Sequence, residues 1–121
     1  MNQSQFNDIF ENVVSRCRNV LCSKAKEYAT EDRLHNFKQA GHIQEVTPVQ
    51  ALLGMMAKHT VSVYDMARSN EPYPEALWEE KITDSINYLI LLRALIEDEN
   101  LVTDHKEPEL VVMADGRAIR I

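Results

Sequence analysis

The sequence predicts an all-α protein, a bundle of about four helices followed by a short C-terminal β-hairpin. Only 3 of the 121 residues are glycine and 4 are proline, too few for the many tight turns of a sandwich or barrel. Apolar residues recur at steps of three and four over long segments, which is the spacing of amphipathic helices. A hydrophobic fraction of 45% over this length fits one domain. We therefore assign residues 1–100 to the bundle and 101–121 to an extension that carries the hairpin.

The first half of the chain predicts one long helix and one short helix. Over residues 4–28 the apolar positions are Phe6, Ile9, Phe10, Val13, Val14, Cys17, Val20 and Leu21. A second, shorter helix is expected around residues 32–40, where Phe37 is the central apolar residue, with loops on both sides.

Two further long helices are predicted in the second half. Thr47, Pro48 and Gln50 form a capping-box start, so the third helix should run from there to about Arg68. The fourth should span residues 74–99, and it is apolar nearly all round after Tyr88. A helix of that kind needs partners on every side, and in so small a domain a second subunit is the natural source. We therefore expect a homo-oligomer, either a dimer or a tetramer.

The tail has the pattern of a β-hairpin. Two apolar runs flank Asp115-Gly116, a pair typical of a type I′ turn. A lone hairpin is marginal in water, so the buried side should dock on the helices or on another chain. That side is expected to consist of Val111, Met113, Ile119 and Ile121.

Charge and cysteine content narrow the range of functions. A net charge of −6 disfavours non-specific nucleic-acid binding, because phosphate backbones repel an acidic surface. No signal peptide and no apolar stretch long enough to span a membrane are recognisable, so a cytoplasmic protein without a membrane partner is expected. Cys17 and Cys22 lack the CxxC or Cys/His spacing of a metal site, and reduced thiols are the expected state.

Several polar residues fall on or beside apolar helix faces. Lys24 and Tyr28 continue the apolar stripe of the first helix, with Glu27 at its edge, and His59 lies in the middle of the stripe of the third helix. Each has an alternative that involves no functional site. Lys24 could extend its ammonium group to water, and His59 could be a core residue whose hydrogen bonds are satisfied. Lys58 lies on the neighbouring face of the third helix, where an ordinary surface lysine is equally expected.

The fourth helix carries its own polar stripe. Glu80, Asp84, Asn87 and Leu91 follow steps of four, three and four, and the stripe changes there from charged to apolar. A carboxylate at the edge of a core is costly unless it is paired or binds a cation. Lys24 or Lys58 could pair with Asp84; the functional alternative is a Mg²⁺ ion that carries nucleotide phosphates, because Mg²⁺ takes oxygen ligands.

The order of these segments resembles that of a group of small phage and prophage proteins. The matching pieces are residues 24–28 (KAKEY), Asn36-Phe37, the capped helix with Lys58, and residues 80–88 (EKITDSINY). Those proteins are similar to the MazG-like all-α nucleoside triphosphate pyrophosphatases. The resemblance spans about residues 20–97 and rests on the ordered set, because no single motif in it is specific.

The resemblance implies a dimeric or tetrameric helical bundle that hydrolyses a nucleotide with Mg²⁺. Carried over to this chain, Glu27, Glu80 and Asp84 would be the metal ligands and catalytic residues. The substrate-binding residues would be Lys24, Asn36, Lys58, His59, Asn87 and Tyr88. The chain departs from the pattern at Lys81, where the family has a glutamate, and in the absence of an ExxE pair from the third helix.

Three functions follow as alternatives: Mg²⁺-dependent nucleotide pyrophosphohydrolysis, nucleotide binding without cleavage, and a purely structural role in an oligomer. Convergence of three carboxylates within reach of one metal ion favours the first. Lysine–carboxylate pairs closed on each other favour the third.

Overall fold

Four α-helices make up the main body of the computed structural model. It describes the backbone of residues 1–24, 32–103 and 110–120. Within these ranges, the side chains of residues 23, 24, 110–112 and 119–120 are not described. The helices are α1 (Gln3–Lys24), α2 (His35–Gln44), α3 (Pro48–Arg68) and α4 (Glu75–Asp98). The predicted all-α class is therefore confirmed. The helix expected at residues 32–40 begins at His35 and continues to Gln44, and the part of the first helix expected beyond Lys24 lies outside the described residues.

Helix α3 begins as its sequence predicts. The Thr47 side chain accepts a hydrogen bond from the Gln50 backbone N–H at 3.1 Å, and the Gln50 side chain accepts one from the Thr47 N–H at 3.0 Å. This reciprocal pair satisfies two helix-start donors that would otherwise lack partners. Pro48 occupies the first turn, where its missing N–H costs nothing.

The core lies between α2, α3 and α4. Leu52 and Leu95 are fully buried, and Leu34 and Phe37 complete the buried cluster. Helix α3 packs against both α2 and α4, whereas α1 packs against α4 alone among the described elements. The apolar face predicted for α1 is consequently only partly covered: Cys17 is buried, but Phe6, Ile9 and Phe10 are 54%, 46% and 55% exposed.

A charged cluster holds the residues that precede α2 in place. The Lys38 ammonium lies 2.7 Å from an oxygen of Asp32 and 3.0 Å from one of Asp98, which ends α4. The hydrogen bond from Lys38, together with one from the Leu34 backbone N–H, holds the pKa of Asp32 below its ordinary value. The same two carboxylates raise the pKa of Lys38. The cluster ties the residues before α2 to the end of α4.

The C-terminal backbone contains two short antiparallel strands, β1 (Leu110–Val112) and β2 (Ala118–Arg120). The Gly116 N–H donates to the Met113 carbonyl at 2.9 Å, and Gly116 alone of the turn residues has positive φ, at 87°. The predicted type I′ turn is wrong, because that type needs positive φ at both central residues. The connection has the three-residue form in which a turn is followed by a left-handed glycine.

Among the described elements, the strands do not dock on the helices, and docking on another chain stays a prediction. The strands contact only each other among the described elements, and Met113, expected on the buried side, is 41% exposed. The side chains of Val111, Ile119 and Ile121 lie outside the described residues, so the remainder of the expected buried side stays a prediction.

Candidate functional site

A cavity of about 120 Å³ lies where α1, α2 and α4 meet. Helix α4 supplies most of its polar wall, because Asp84 lies three and four residues before Asn87 and Tyr88 and therefore on the same side of the helix. Its other lining residues are Val20, Leu21, Arg33, Asn36, Phe37 and Leu91. Two segments far apart in sequence thus place a carboxylate, two amides and a guanidinium around one space, and α1 adds an apolar wall.

Asn87 is the most unusual residue of this cavity. It is 5% exposed, and neither its Oδ1 nor its Nδ2 has a hydrogen-bond partner in the part of the chain described. A buried amide without partners costs about 1–3 kcal/mol, so such groups are few in native proteins. Asn87 belongs to the wall of the cavity, but its two polar atoms are closed to solvent, so a ligand would reach them only if neighbouring side chains move.

Asp84 lies at the edge of the cavity beside His59 of α3. The Asp84 Oδ2 atom is 3.6 Å from His59 Nδ1, too long for a hydrogen bond, and that nitrogen is buried without a partner among the described residues. The His59 ring packs against Tyr88, with ring centroids 5.0 Å apart and planes inclined at 35°. A small rotation of either side chain would bring Asp84 and His59 into hydrogen-bonding contact.

The structure brings together five of the residues that the sequence singled out. Asp84, Asn87, Tyr88 and Asn36 line the cavity, and His59 contacts two of them from behind. Helical spacing predicted the shared stripe on α4, and the resemblance supplied Asn36.

The remaining predicted site residues are not placed in the cavity. Glu80 and Lys58 are exposed and line no part of it. Glu27 and the side chain of Lys24 lie outside the described residues, so the Glu27 ligand and a Lys24–Asp84 pair both stay predictions.

Two residues of the cavity were not anticipated. Arg33, in the turn before α2, and Phe37, in the first turn of α2, both line it. Phe37 directly follows Asn36 in the sequence, whereas Arg33 precedes the helix, so helical spacing could not have identified it. The Asp32–Lys38–Asp98 cluster described above holds the segment that carries Arg33.

The described residues do not fit a magnesium site by themselves. No group of three His, Cys, Asp or Glu side chains within residues 1–22, 32–103 and 113–118 is placed to hold a metal ion. Asp84 and Glu80 are the only predicted ligands with described side chains, and Glu80 points to solvent. A site of three converging carboxylates, as the resemblance implies, would therefore need ligands from outside the described residues.

Comparisons with known proteins leave the fold and the cavity as the basis for a functional argument. No protein-family model, curated protein or solved structure matches the chain. Within the described residues, no helix has the length and apolar character needed to cross a membrane.

Proposed function

We propose that this chain binds a nucleotide, with part of the ligand held in the cavity beside Asn87. The observation that carries the proposal is the buried Asn87 side chain, whose donor and acceptor both lack partners in the described structure. The edge of a nucleobase offers a neighbouring donor and acceptor, which an asparagine amide can meet with two hydrogen bonds. Phe37 and Tyr88 add aromatic walls to the same space, as base recognition commonly requires.

The size of the cavity limits what it can hold. Pockets that enclose a whole drug-sized ligand measure about 300–1,000 Å³, and this one is about 120 Å³. It therefore takes one portion of a nucleotide, and the remainder would lie at the opening. Arg33 at the cavity wall supplies a positive charge there, which offsets the repulsion of a phosphate by a chain of net charge −6.

Hydrolysis of the bound nucleotide is the second candidate, favoured by Asp84 at the cavity edge. Its carboxylate adjoins the proposed ligand position and is 29% exposed, so it is accessible to a cation or a water molecule. Magnesium-dependent pyrophosphohydrolysis on the MazG-like pattern would need Glu27 as a further ligand, because the described carboxylates do not converge. The homo-oligomer expected from the sequence belongs to the same proposal.

A nucleotide panel separates these functions. We expect at least one nucleoside triphosphate to bind the wild-type chain, and Asn87→Leu to weaken that binding tenfold or more, equivalent to about 1.4 kcal/mol or more. Binding is measured by calorimetry and pyrophosphate release by a coupled assay, each with and without Mg²⁺. Turnover that needs Mg²⁺ and is abolished in Asp84→Asn and Glu27→Gln identifies the hydrolase; binding without turnover identifies the binding protein.

Thr83→Val is the matched control. Thr83 is also buried on α4, at 4% exposure, but it does not line the cavity. It should leave nucleotide affinity within a factor of two or so. The proposal fails if no nucleotide binds, or if Asn87→Leu and Thr83→Val behave alike.

A further inference from the structure

The exposed apolar surface of α1 continues onto α4 as a groove. A cavity of about 530 Å³ lies between them, lined by Phe10, Val13, Val14, Cys17, Arg18, Leu21 and Cys22 from α1 and by Ile86 and Ile90 from α4. Phe10 and Ile90 are 55% and 46% exposed. This α1–α4 groove is distinct from the Asn87 cavity, although Leu21 contributes to both.

The exposed apolar side chains of α1 provide surface for a partner. A stable dimer needs about 800 Å² from each partner. Phe6 and Phe10 of α1 are 54% and 55% exposed, and Leu89 and Ile90 of α4 are 55% and 46% exposed.

The charges along α1 specify the kind of partner. Asp8 and Glu11 lie in the first half of the helix, and Arg16 and Arg18 lie in the second. Among the described residues, Asp8, Glu11 and Arg18 have no ion-pair partner, whereas Arg16 pairs with Glu79 of α4 at 2.7 Å. Only Glu11 and Arg18 border the groove, because Asp8 lies on the opposite side of α1 and Arg16 is already paired. In an antiparallel pair centred on Val13 and Val14, Glu11 of each copy would lie within about one helical turn of Arg18 of the other copy.

Three pairs of apolar residues in α1 are symmetric about its midpoint, whereas Ile9 and Val20 correspond to Arg18 and Asn7. Phe6 and Leu21, Phe10 and Cys17, and Val13 and Val14 are equidistant from the midpoint of the helix. Two-fold dimers require such a self-complementary surface, in which residue i meets j and j meets i.

We propose that the α1–α4 groove is the interface of a two-fold dimer, in which the α1 helices of two copies of this chain pair antiparallel about Val13 and Val14. Apolar contact supplies the affinity, and the exposed charges fix the direction of pairing, because such ion pairs act more on orientation than on strength. Since Val20 and Leu21 also form a wall of the Asn87 cavity, the second copy would support that wall from behind. The proposal does not depend on nucleotide binding.

Sedimentation of two aspartate variants tests the surface. Phe10 on α1 and Val61 on α3 are equally exposed, at 55% and 56%, so neither substitution should unfold a single chain. We expect the wild type and Val61→Asp to sediment at twice the 13.9 kDa chain mass at micromolar concentration, and Phe10→Asp to sediment as a monomer. A monomeric wild type, or a dimer that Val61→Asp rather than Phe10→Asp dissociates, would overturn the proposal.

Thiol cross-linking tests the direction of pairing. In a Cys22→Ser background, Val14→Cys should give a cross-linked dimer with a short bis-maleimide, because Val14 lies beside the two-fold axis. Asn7→Cys should not, since antiparallel helices place the two copies about 20 Å apart at 1.5 Å per residue, whereas parallel helices would place them together. Cross-linking through Asn7→Cys but not through Val14→Cys would contradict the antiparallel arrangement.

Discussion

Asn87 shows most directly how a single residue connects stability to function. Its amide is buried without partners in the described structure, which is a cost for the free protein. Leucine offers neither a donor nor an acceptor at this place, and a carboxylate offers only acceptors, whereas an amide offers both. The proposed ligand would supply the partners that the described residues do not.

Replacing Asn87 with leucine should stabilise the unliganded protein. Removing an unpaired buried amide recovers its desolvation penalty, so we expect the free energy of unfolding in urea to rise by about 1–3 kcal/mol. Asn12→Leu, on the exposed surface of α1, should change it by no more than about 0.5 kcal/mol. A loss of stability in Asn87→Leu would show that the amide has a structural partner and would remove the main support for the ligand site.

Sequence reasoning located part of the site because helical spacing is local. The steps from Asp84 to Asn87 and Leu91 are enough to place three side chains on one stripe. The contribution of Arg33 and Phe37 depends instead on the path of the chain into α2, which is set by Lys38 and its contacts with Asp32 and Asp98. Such long-range ion pairs have no signature in the spacing of residues.

At the scale of elements, the crossing of α2 and α3 depends on one glycine. A Cβ atom added to Gly41 would lie 2.8 Å from the Val46 carbonyl oxygen and 3.1 Å from the Pro48 nitrogen. These neighbours belong to the backbone that leads into α3 and cannot move independently of it. Gly54, inside α3, has no atom within 4 Å of the corresponding position.

The two glycines should therefore respond oppositely to alanine. Gly41→Ala introduces a backbone clash, and we expect a loss of about 1–3 kcal/mol, as for other overpacked positions. Gly54→Ala should gain about 0.5–1 kcal/mol, because alanine has less backbone freedom to lose in a helix interior. Urea unfolding of both variants checks the pair; equal effects would mean that α2 does not approach α3 as described.

The helices were predictable from the sequence, whereas the surfaces that pack against them were less so. The start of α3 followed from Thr47, Pro48 and Gln50 because a capping box is a local signal. Periodicity also predicted an apolar face for α1, but it does not say whether the covering surface belongs to the same chain. Among the described elements, that face is contacted by α4 alone.

For the molecule as a whole, stability is unevenly distributed between α1 and the other helices. Leu52 of α3 and Leu95 of α4 are fully buried, and both belong to the cluster completed by α2. Helix α1 adds only Cys17 to the described buried residues, where burial raises the pKa of the thiol. A helix held by one neighbour opens more readily than one held by two, because fewer apolar contacts are lost.

Hydrogen exchange should reveal this difference as a dependence on protein concentration. If two copies pair through α1, dimerisation stabilises α1 by mass action, so its amides should exchange more slowly as the protein is concentrated. The amides of α3 around Leu52 should already exchange slowly at low concentration and change less. In Phe10→Asp, a monomer on this account, α1 should exchange rapidly at every concentration while α3 keeps its protection. Uniform slowing of all four helices on concentration would instead show that the chain folds only as an assembly, and fast α1 exchange at every wild-type concentration would show that nothing covers this face.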